Sequence, residues 1–373
     1  MTSSRLASAV YGSRLRSAAE AAKKAGLDGL LITPGPDLQY LLGSRAQSFE
    51  RLTCLVVPAD SPASVVLPRL ELAALAPSAA AKLGLAVHDW VDGVDPYALV
   101  ASLLGTPAST GISDAMPAMH ALPLAAACQA PQVLATPVLR ELRMCKDPAE
   151  LDALRRAGAA IDRVHARMGE WLRPGRTEAE VGADIGAAIV AEGHTESAFI
   201  IVGSGPHGAD PHHEVSERVL ERGDVVVVDI GGPVEPGYFS DCTRTYSLGA
   251  PAAEVAAQYA VLQRAQRAGL RAVRPGARAE EVDAACRQVL GAEGLAEAFV
   301  HRTGHGIGLS VHEEPYIVAG NDLLLTEGMA FSVEPGIYFP GSWGARIEDI
   351  VLVTADGCEP VNTRPHELTV LPD

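Results

Sequence analysis

Apolar positions in residues 1 to about 140 follow two alternating patterns. Short continuous apolar runs, such as 29–32, 55–57 and 64–67, are separated by longer stretches with the spacing of amphipathic helices. This alternation predicts an α/β domain in which buried strands are covered by helices. No cluster of metal-ligating residue types occurs in this part of the sequence.

A helix start marks the end of the first part of the chain. Asp147 can cap a helix, Pro148 suits the first helical position, and Glu150 can complete a capping box. We therefore predict a long helix that begins here, and we place the domain boundary just before it. The predicted domains are residues 1–140 and 141–373.

The second domain contains an internal duplication. The triplet Arg-Pro-Gly at 173–175 recurs at 274–276, and Ala-Glu-Gly at 191–193 recurs at 292–294, both at an offset of 101 residues. Each copy has the pattern of a helix, a turn, a second helix and then strands. The offset predicts two similar halves related by a pseudo-two-fold axis, and a solenoid is excluded because it needs three or more units.

A pair of aspartates flanks the first predicted hairpin. Asp229 ends the apolar run 225–228, and Asp241 lies in the alternating strand 239–245. Both are equally far from residue 235, the middle of a loop rich in Gly and Pro. We therefore predict that the two aspartates are direct cross-strand neighbours.

A pair of glutamates repeats this arrangement. Glu334 and Glu348 are equally far from Gly341, which lies in another turn-rich stretch between two apolar strands. Carboxylates opposed on one sheet face have Cβ atoms about 5 Å apart, and they repel each other unless a cation lies between them. The four acids therefore indicate a metal site.

A histidine between glycines supplies another type of ligand. His305 lies in the segment Thr-Gly-His-Gly-Ile-Gly at 303–308, where the small neighbours let backbone and substrate approach closely. Four carboxylates and one imidazole suit hard or borderline divalent ions better than a thiolate site would. Two such ions about 3.5 Å apart would share a water and lower its pKa, which predicts metal-assisted hydrolysis.

Composition narrows the classes of partner and location. A formal net charge of −16 argues against nucleic acid or an anionic membrane as a partner. No run of about 18 apolar residues occurs, and residues 1–5 lack the features of a signal peptide. The six cysteines, at 54, 128, 145, 242, 286 and 358, have no C-x-x-C spacing, so we expect reduced thiols and a cytoplasmic protein.

The ordered motifs V-D-I-G, S-D-x-T-R-T, G-H-G-I-G, E-P-G and R-I-E-D resemble those of the pita-bread metallopeptidases, specifically the Xaa-Pro peptidases prolidase and aminopeptidase P. The resemblance covers essentially the whole chain. It implies an α+β fold, with a duplicated pita-bread catalytic domain at 141–373 and a smaller creatinase/prolidase-type α/β domain at 1–140.

The resemblance also implies roles for individual residues. The five metal ligands would be Asp229, Asp241, His305, Glu334 and Glu348, with Asp241 and Glu348 bridging the two ions. Glu334 would also accept a proton from the nucleophilic water and pass it to the leaving amine, which suits a carboxylate poised beside the hydroxide.

Four more residues resemble substrate-binding or catalytic groups of the family. His312 would hydrogen-bond the substrate and steady the tetrahedral intermediate, His212 would bind substrate at the cleft mouth, and His301 would line the pocket. Composition does not separate His212 from His213, and the resemblance favours the first. Arg346 would bind substrate or orient the ligand carboxylates through salt bridges.

Neighbouring residues receive structural interpretations. Cys242 and Asp349 alternate with ligands along their strands, so we expect them to point to the opposite sheet faces. Tyr316 and Trp343 are candidates either for the wall of the cleft or for packing.

The resulting hypothesis is a prolidase-like Xaa-Pro dipeptidase whose nucleophile is a hydroxide that bridges two divalent ions. Mn²⁺ is the first choice of ion, with Co²⁺, Zn²⁺ or Fe²⁺ as alternatives. Aminopeptidase P, which acts on longer peptides with proline second, is the alternative activity, because Tyr316 occupies a place where the resemblance implies an Arg that captures the proline carboxylate. A creatinase-like or non-catalytic binding homologue is less consistent with the full ligand set. The resemblance also implies a homodimer.

Overall fold

A computed structural model describes residues 7–47 and 50–372, which divide between Arg143 and Met144 into two compact units. The expectation about a signal peptide in residues 1–5 lies outside the described residues. Helices of the first part are Ser8–Lys24 (α1), Pro36–Leu42 (α2), Leu72–Leu75 (α3), Ala80–Leu83 (α4), Pro96–Leu104 (α5), Ala118–Cys128 (α6) and Thr136–Met144 (α7). Its strands are Gly29–Ile32 (β1), Cys54–Pro58 (β2), Ser64–Pro68 (β3), Ala86–Trp90 (β4), Thr110–Ile112 (β5) and Gln132–Leu134 (β6).

The first unit is built on one mixed six-stranded sheet. The strand order is β4-β3-β2-β1-β5-β6; β2 is antiparallel to its neighbours β1 and β3, and the other pairings are parallel. Every residue of β1, β2 and β3 is buried, as expected for strands covered by helices. The α/β interpretation of this part is therefore confirmed.

The second unit contains five α-helices and eleven strands within its described residues. The helices are Pro148–His165 (α8), Met168–Trp171 (α9), Glu178–Ala191 (α10), Ala253–Ala272 (α11) and Ala279–Ala292 (α12). The strands are Phe199–Ser204 (β7), Val225–Val234 (β8), Tyr238–Leu248 (β9), Gly304–Gly306 (β10), Glu313–Ile317 (β11), Ala330–Val333 (β12), Gly336–Phe339 (β13), Trp343–Arg346 (β14), Asp349–Val353 (β15), Cys358–Pro360 (β16) and Thr369–Leu371 (β17).

Local sequence explains where the helices of this unit begin. The Asp147 side chain accepts hydrogen bonds from the Ala149 and Glu150 amides, and the Glu150 carboxylate accepts one from the Asp147 amide (2.8 Å), so the predicted capping box is confirmed. A second capping box, formed by Thr177 and Glu180, starts α10. These caps fix the positions of two helices that cover the sheets.

The duplication is visible in the helices. Both α10 and α12 have 14 residues, and both their first and their last residues are 101 positions apart. Helices α8 and α10 pack on β8 and β9 in one apolar core, and α11 and α12 pack on β12 and β15 in another. The strands form a four-stranded sheet (β17-β9-β8-β7), a five-stranded sheet (β11-β10-β12-β15-β16) and the hairpin β13-β14. Among the described helices, none is both long and apolar enough to cross a bilayer.

Candidate metal centre

The first acidic hairpin has a different register from the one predicted. Asp229 lies opposite Thr243, and Asp241 lies opposite Gly231, so the aspartates are diagonal rather than direct neighbours and that prediction is wrong. The reason is that Gly231 and Gly232 continue the strand instead of forming the turn. A Cβ on Gly231 would lie 2.3 Å from the Ser240 carbonyl oxygen, so glycine is needed there for close packing.

The diagonal relation still leaves both aspartates on one face of the sheet. The shift between predicted and observed partners is two residues, which preserves the alternation of faces. Cys242, between Asp241 and Thr243, points into the apolar core under α8 and α10, as predicted. The opposite face therefore carries the carboxylates.

The second acidic hairpin has the predicted register, but its ladder is interrupted at the glutamates. Strand β12 pairs with β15, and β13 pairs with β14, all in a register that places Glu334 opposite Glu348. Pro335 has no amide hydrogen to donate, although its carbonyl accepts from the Ile347 amide (3.3 Å). Glu334 and Glu348 form the adjacent non-hydrogen-bonded pair, so their amides point outward. The Glu334 amide donates to the Thr303 carbonyl (2.8 Å), and the Glu348 amide donates to the Thr243 carbonyl (3.1 Å).

His305 has the geometry of a ligand. Its Nδ1 lies 3.1 Å from the Gly306 carbonyl oxygen and donates to it, which leaves Nε2 as an acceptor. Nε2 lies 3.2 Å from Glu334 Oε1 and 3.6 Å from Asp241 Oδ2. Because these are acceptor atoms, a proton on Nε2 or a metal ion must lie between them. The Ser332 hydroxyl joins the two groups, since it accepts from the His305 amide (2.9 Å) and donates to Glu334 (3.0 Å).

The buried carboxylates have oxygen atoms that fit a metal ion. Ligand atoms of Asp241, His305 and Glu348 lie within 4.8 Å of one another. Among the described residues, Asp229 Oδ1, Asp241 Oδ1 and Glu348 Oε1 are buried without a hydrogen-bond partner. Three such acceptors in one place would be costly unless a cation used them. The donor set therefore fits divalent metal.

The electrostatics of the cluster lead to the same conclusion. Burial first, and then the charges of Glu348, Asp229 and Glu334, raise the pKa of Asp241 well above its usual range. Burial, Glu334 and Asp229 likewise raise the pKa of Glu348. Burial alone would also raise the pKa of Glu334, but its bond to His305 and the nearby positive charges lower it instead. Four ionised acids therefore need added positive charge.

Arg346 connects three of the groups around the site. Its Nη2 lies 2.7 Å from Asp229 Oδ2, its Nε donates to Thr243 Oγ1 (3.0 Å), and its Nη1 donates to the Tyr338 hydroxyl (2.7 Å). Thr243 links Arg346 to Glu348, because the Thr243 hydroxyl in turn donates to Glu348 Oε2 (2.7 Å). Arg346 is only 3% exposed, so it orients the carboxylates from a buried position.

His301 uses both ring nitrogens within the protein. Nδ1 lies 2.7 Å from the Arg302 carbonyl oxygen, to which it donates, and Nε2 lies 2.8 Å from the Tyr338 hydroxyl. Because that hydroxyl accepts from Arg346, its own hydrogen is available for His301 Nε2. His301 therefore presents ring carbon rather than a free hydrogen-bonding nitrogen to a ligand.

The remaining predicted histidines occupy different positions. The His312 ring packs edge-on against His305, with centroids 4.2 Å apart, and loss of solvent together with the charge of His305 lowers the pKa of His312 to about 4. His213 Nε2 lies 2.7 Å from a carboxylate oxygen of the buried Glu178. His212 faces the cavity described next, so the geometry separates His212 from His213.

A cavity of about 940 Å³ lies over the carboxylates. Its lining includes all nine residues that the sequence predicts for the site, namely Asp229, Asp241, His305, Glu334, Glu348, His212, His301, His312 and Arg346. Apolar wall is provided by Phe199 and Ile201. Tyr316 and Trp343 do not belong to the described lining; Trp343 packs on Phe339 at 5.1 Å between ring centroids.

Several residues that support the site were missed in the sequence. Thr243 alternates with Asp241 along β9, so strand periodicity alone could have placed its hydroxyl on the same face. Arg244 faces the other way, where it donates to the Glu348 carbonyl (2.6 Å) and pairs with Asp349 (2.7 Å). No local sequence pattern marks Tyr338 or Arg302 as part of the site, because their contacts depend on how strands that are distant in sequence come together.

Comparisons with known proteins agree with this geometry. The family model for metallopeptidase family M24 matches residues 152–355, and that for the creatinase/prolidase N-terminal domain matches residues 14–145. The probable dipeptidase PepE of Mycobacterium tuberculosis is 67% identical over 373 residues, which is 100% of both chains. The crystal structure of dipeptidase PepE from Mycobacterium ulcerans, also 67% identical, has a TM-score of 0.96 over 99% of this chain and 100% of that one. The prolidase from Thermococcus sibiricus is 35% identical, with a TM-score of 0.91 over 97% and 99% of the two chains.

Proposed function

Because the chain belongs to metallopeptidase family M24, and within it to the pita-bread Xaa-Pro peptidases, we propose that it hydrolyses Xaa-Pro dipeptides. The observation that carries the proposal is the cavity of about 940 Å³, whose floor holds one imidazole and four carboxylates, three of them buried and that of Glu334 half-buried. Dipeptidase and prolidase names among its relatives support a dipeptide as the substrate. The chain is a peptidase, and its preference for proline is the proposed part.

The proposed ligands are Asp229, Asp241, His305, Glu334 and Glu348. Two divalent ions held there would supply Lewis acidity and a hydroxide nucleophile at neutral pH. Residues Asp241 and Glu348 are proposed as the ligands shared by both ions; like Asp229, each carries a buried oxygen without a hydrogen-bond partner that an ion would use.

Protein groups around the ions would then move protons and hold the substrate. Glu334 is proposed to take the proton from the attacking water and to deliver it to the proline nitrogen as that group leaves. His312 and His212 face the cavity and are proposed to hydrogen-bond the substrate. His301 and Arg346 are proposed to shape the pocket, since their polar atoms are engaged by Tyr338 and Asp229.

Substrate length separates the proposal from its main alternative. The purified protein with Mn²⁺ should cleave alanylproline faster than alanylprolylalanine, and it should leave alanylalanine nearly uncleaved. Rapid cleavage of the tripeptide without dipeptide cleavage would favour aminopeptidase P. Glu334→Gln serves as the inactive control, since it keeps the size of the side chain but cannot carry the proton.

Metal content separates the peptidase from a creatinase-like or non-catalytic homologue. Metal analysis of the protein after equilibration with Mn²⁺ should give about two ions per chain, and Asp241→Ala should lower that number. Fewer than about one ion per chain at neutral pH would favour the non-metal functions.

The ion, the assembly and the location are proposals of the same kind. We propose Mn²⁺ as the physiological ion, tested by comparing kcat/KM with Mn²⁺, Co²⁺, Zn²⁺ and Fe²⁺. We propose a homodimer, tested by sedimentation equilibrium. All six cysteines are free thiols, which supports the proposed cytoplasmic location. We also propose residues 1–140 as the N-terminal domain and 141–373 as the catalytic domain.

A further inference from the structure

Two arginines occur among the described residues that line the cavity, and they differ in whether they are paired. Arg346 is 3% exposed and binds Asp229 at 2.7 Å, so its charge is already used within the metal centre. Arg302 also lines the cavity and is half-buried. Among the described residues it forms no ion pair and no side-chain hydrogen bond. Its guanidinium is therefore a charged group in the cavity that lacks a matching anion.

An aromatic ring holds Arg302 in place. The guanidinium carbon lies 4.4 Å from the centroid of the Tyr316 ring. Tyr316 is the cross-strand partner of His305, so this ring is fixed on the strand next to the predicted ligand. The Arg302 backbone is fixed as well, because its carbonyl accepts from His301 Nδ1. A guanidinium stacked on a ring keeps the edge that carries its N–H donors available for a planar anion.

The proposed substrate supplies such an anion. A dipeptide has one carboxylate at its C-terminus, and a longer peptide has a neutral amide at the same position. Carboxylates on the floor of the cavity would repel that group, whereas an unpaired guanidinium binds it through two parallel hydrogen bonds. We infer that Arg302, stacked on Tyr316, binds the C-terminal carboxylate of the substrate and thereby selects dipeptides. This inference rests on the proposed function.

Tyr316 has a different role in the structure from the one that the sequence alone suggests. From the sequence, Tyr316 weakens the assignment as a dipeptidase, because an Arg would be expected there. In the structure, Tyr316 supports an arginine that comes from a neighbouring segment instead. The positive charge thus reaches the cavity from residue 302 rather than from residue 316.

A pair of substrates that differ only in the terminal group tests this role. We expect Arg302→Gln to lower kcat/KM for alanylproline about 30-fold, mostly through KM, and to change kcat/KM for alanylprolinamide by less than about 3-fold. Arg302→Lys should restore part of the loss, since it keeps the charge without the planar fork. Arg274→Gln is the matched control, because Arg274 is exposed and lies outside the cavity.

The supporting ring can be tested separately. Tyr316→Phe should behave like wild type, because the phenyl face remains under the guanidinium. Tyr316→Leu should lower kcat/KM for alanylproline by about 5-fold with a smaller effect on the amide, since it removes the cation–π contact. An equal effect on acid and amide would show that Tyr316 acts only through packing, and would overturn its assigned role.

The experiment distinguishes failure of this inference from failure of the proposed function. If wild type cleaves alanylproline and Arg302→Gln lowers acid and amide activity equally, the assignment of Arg302 is wrong while the dipeptidase proposal stands. If wild type cleaves no Xaa-Pro peptide, the proposed function is wrong, and calorimetry decides the role of Arg302. Wild-type protein with Mn²⁺ should then bind proline more tightly than prolinamide, and Arg302→Gln should lose that preference. Equal binding of the two ligands by wild type would overturn the inference.

Discussion

Glu178 anchors the segment that carries His212, and its replacement provides a sharp test of the site's support. The Glu178 side chain is fully buried at the start of α10. One carboxylate oxygen accepts from the Ser204 amide (2.9 Å) and hydroxyl (2.6 Å), and the other accepts from the Ser216 hydroxyl (2.7 Å). His213 Nε2 lies 2.7 Å from that second oxygen. One ionised group therefore ties together both ends of the segment 204–216.

The size of the expected effect follows from the pKa of Glu178. Burial alone would raise this pKa, but the hydrogen bonds from Ser204, Ser216 and His213 outweigh it and lower the pKa from 4.5 to about 2. A difference of roughly 2.5 pH units corresponds to about 3 kcal/mol of folding free energy. Glu178→Gln keeps the shape but places an amide NH₂ against the donors on one side. We therefore expect the free energy of unfolding at about pH 7 to fall by about 3 kcal/mol, or the Tm by about 6–12 °C.

The pH dependence has a definite sign. Since the folded-state pKa lies below the unfolded value, the stabilisation is complete above about pH 5 and is lost as the pH falls from about 4.5 towards 2. The difference between wild type and Glu178→Gln should therefore shrink by about 1 kcal/mol between about pH 7 and pH 3.5.

Urea unfolding with excess chelator measures this difference without a contribution from bound metal. Glu281→Gln is the control, because Glu281 is exposed in the first turn of α12 and should change stability by less than about 0.5 kcal/mol. A loss below about 1 kcal/mol for Glu178→Gln, or a difference that stays constant with pH, would refute the reasoning. Because His212 adjoins His213, the variant should also raise KM for alanylproline more than it lowers kcat.

Three further predictions follow from the buried charges and caps. Mn²⁺ at about 100 times its Kd should stabilise wild type by about 2.7 kcal/mol. Asp241→Asn should lose most of that gain, yet in chelator it should be more stable than wild type, because one of the repelling carboxylates is replaced by a neutral amide. Thermal unfolding with Mn²⁺ and with chelator measures both effects. Arg346→Met should lower the free energy of unfolding in chelator by about 3 kcal/mol and lower the metal content, since Asp229 keeps a buried charge without its partner. Arg346→Lys should recover part of both losses. Unchanged stability of Arg346→Met would contradict the pairing of Arg346 with Asp229. Asp147→Ala should cost about 1 kcal/mol in urea unfolding through loss of the α8 capping box, whereas Asp152→Ala, an exposed site on the same helix, should not.

Features of the fold that depend on local chemistry could be predicted from the sequence. The capping box at Asp147 and the buried strand at 29–32 follow from short-range rules, and both are present in the structure. Strand alternation placed Asp229 and Asp241 on the same face of the sheet, but it did not give their exact cross-strand partners. Gly231 and Gly232 have the composition of a turn, yet they are strand residues whose missing side chains admit neighbouring carbonyl groups. Local composition cannot distinguish a glycine that turns the chain from one that lets another strand approach.

The contacts that complete the site arise from the register of the second hairpin. The Ile347 amide donates to the Pro335 carbonyl (3.3 Å), so Glu334 and Glu348 form the adjacent non-hydrogen-bonded pair, whose amides point away from each other. The Glu348 amide therefore points out of its own hairpin and donates to the Thr243 carbonyl of the first half.

This bond brings the two halves of the duplicated unit together at the level of the ligands. The Thr243 carbonyl accepts from the Glu348 amide, and the Thr243 hydroxyl donates to the Glu348 carboxylate. Arg346, on the same strand pair, reaches Asp229 across the junction. The register therefore matters to the metal centre, because it turns the Glu348 amide towards the other half of the duplicated unit while the Glu348 side chain stays among the ligands.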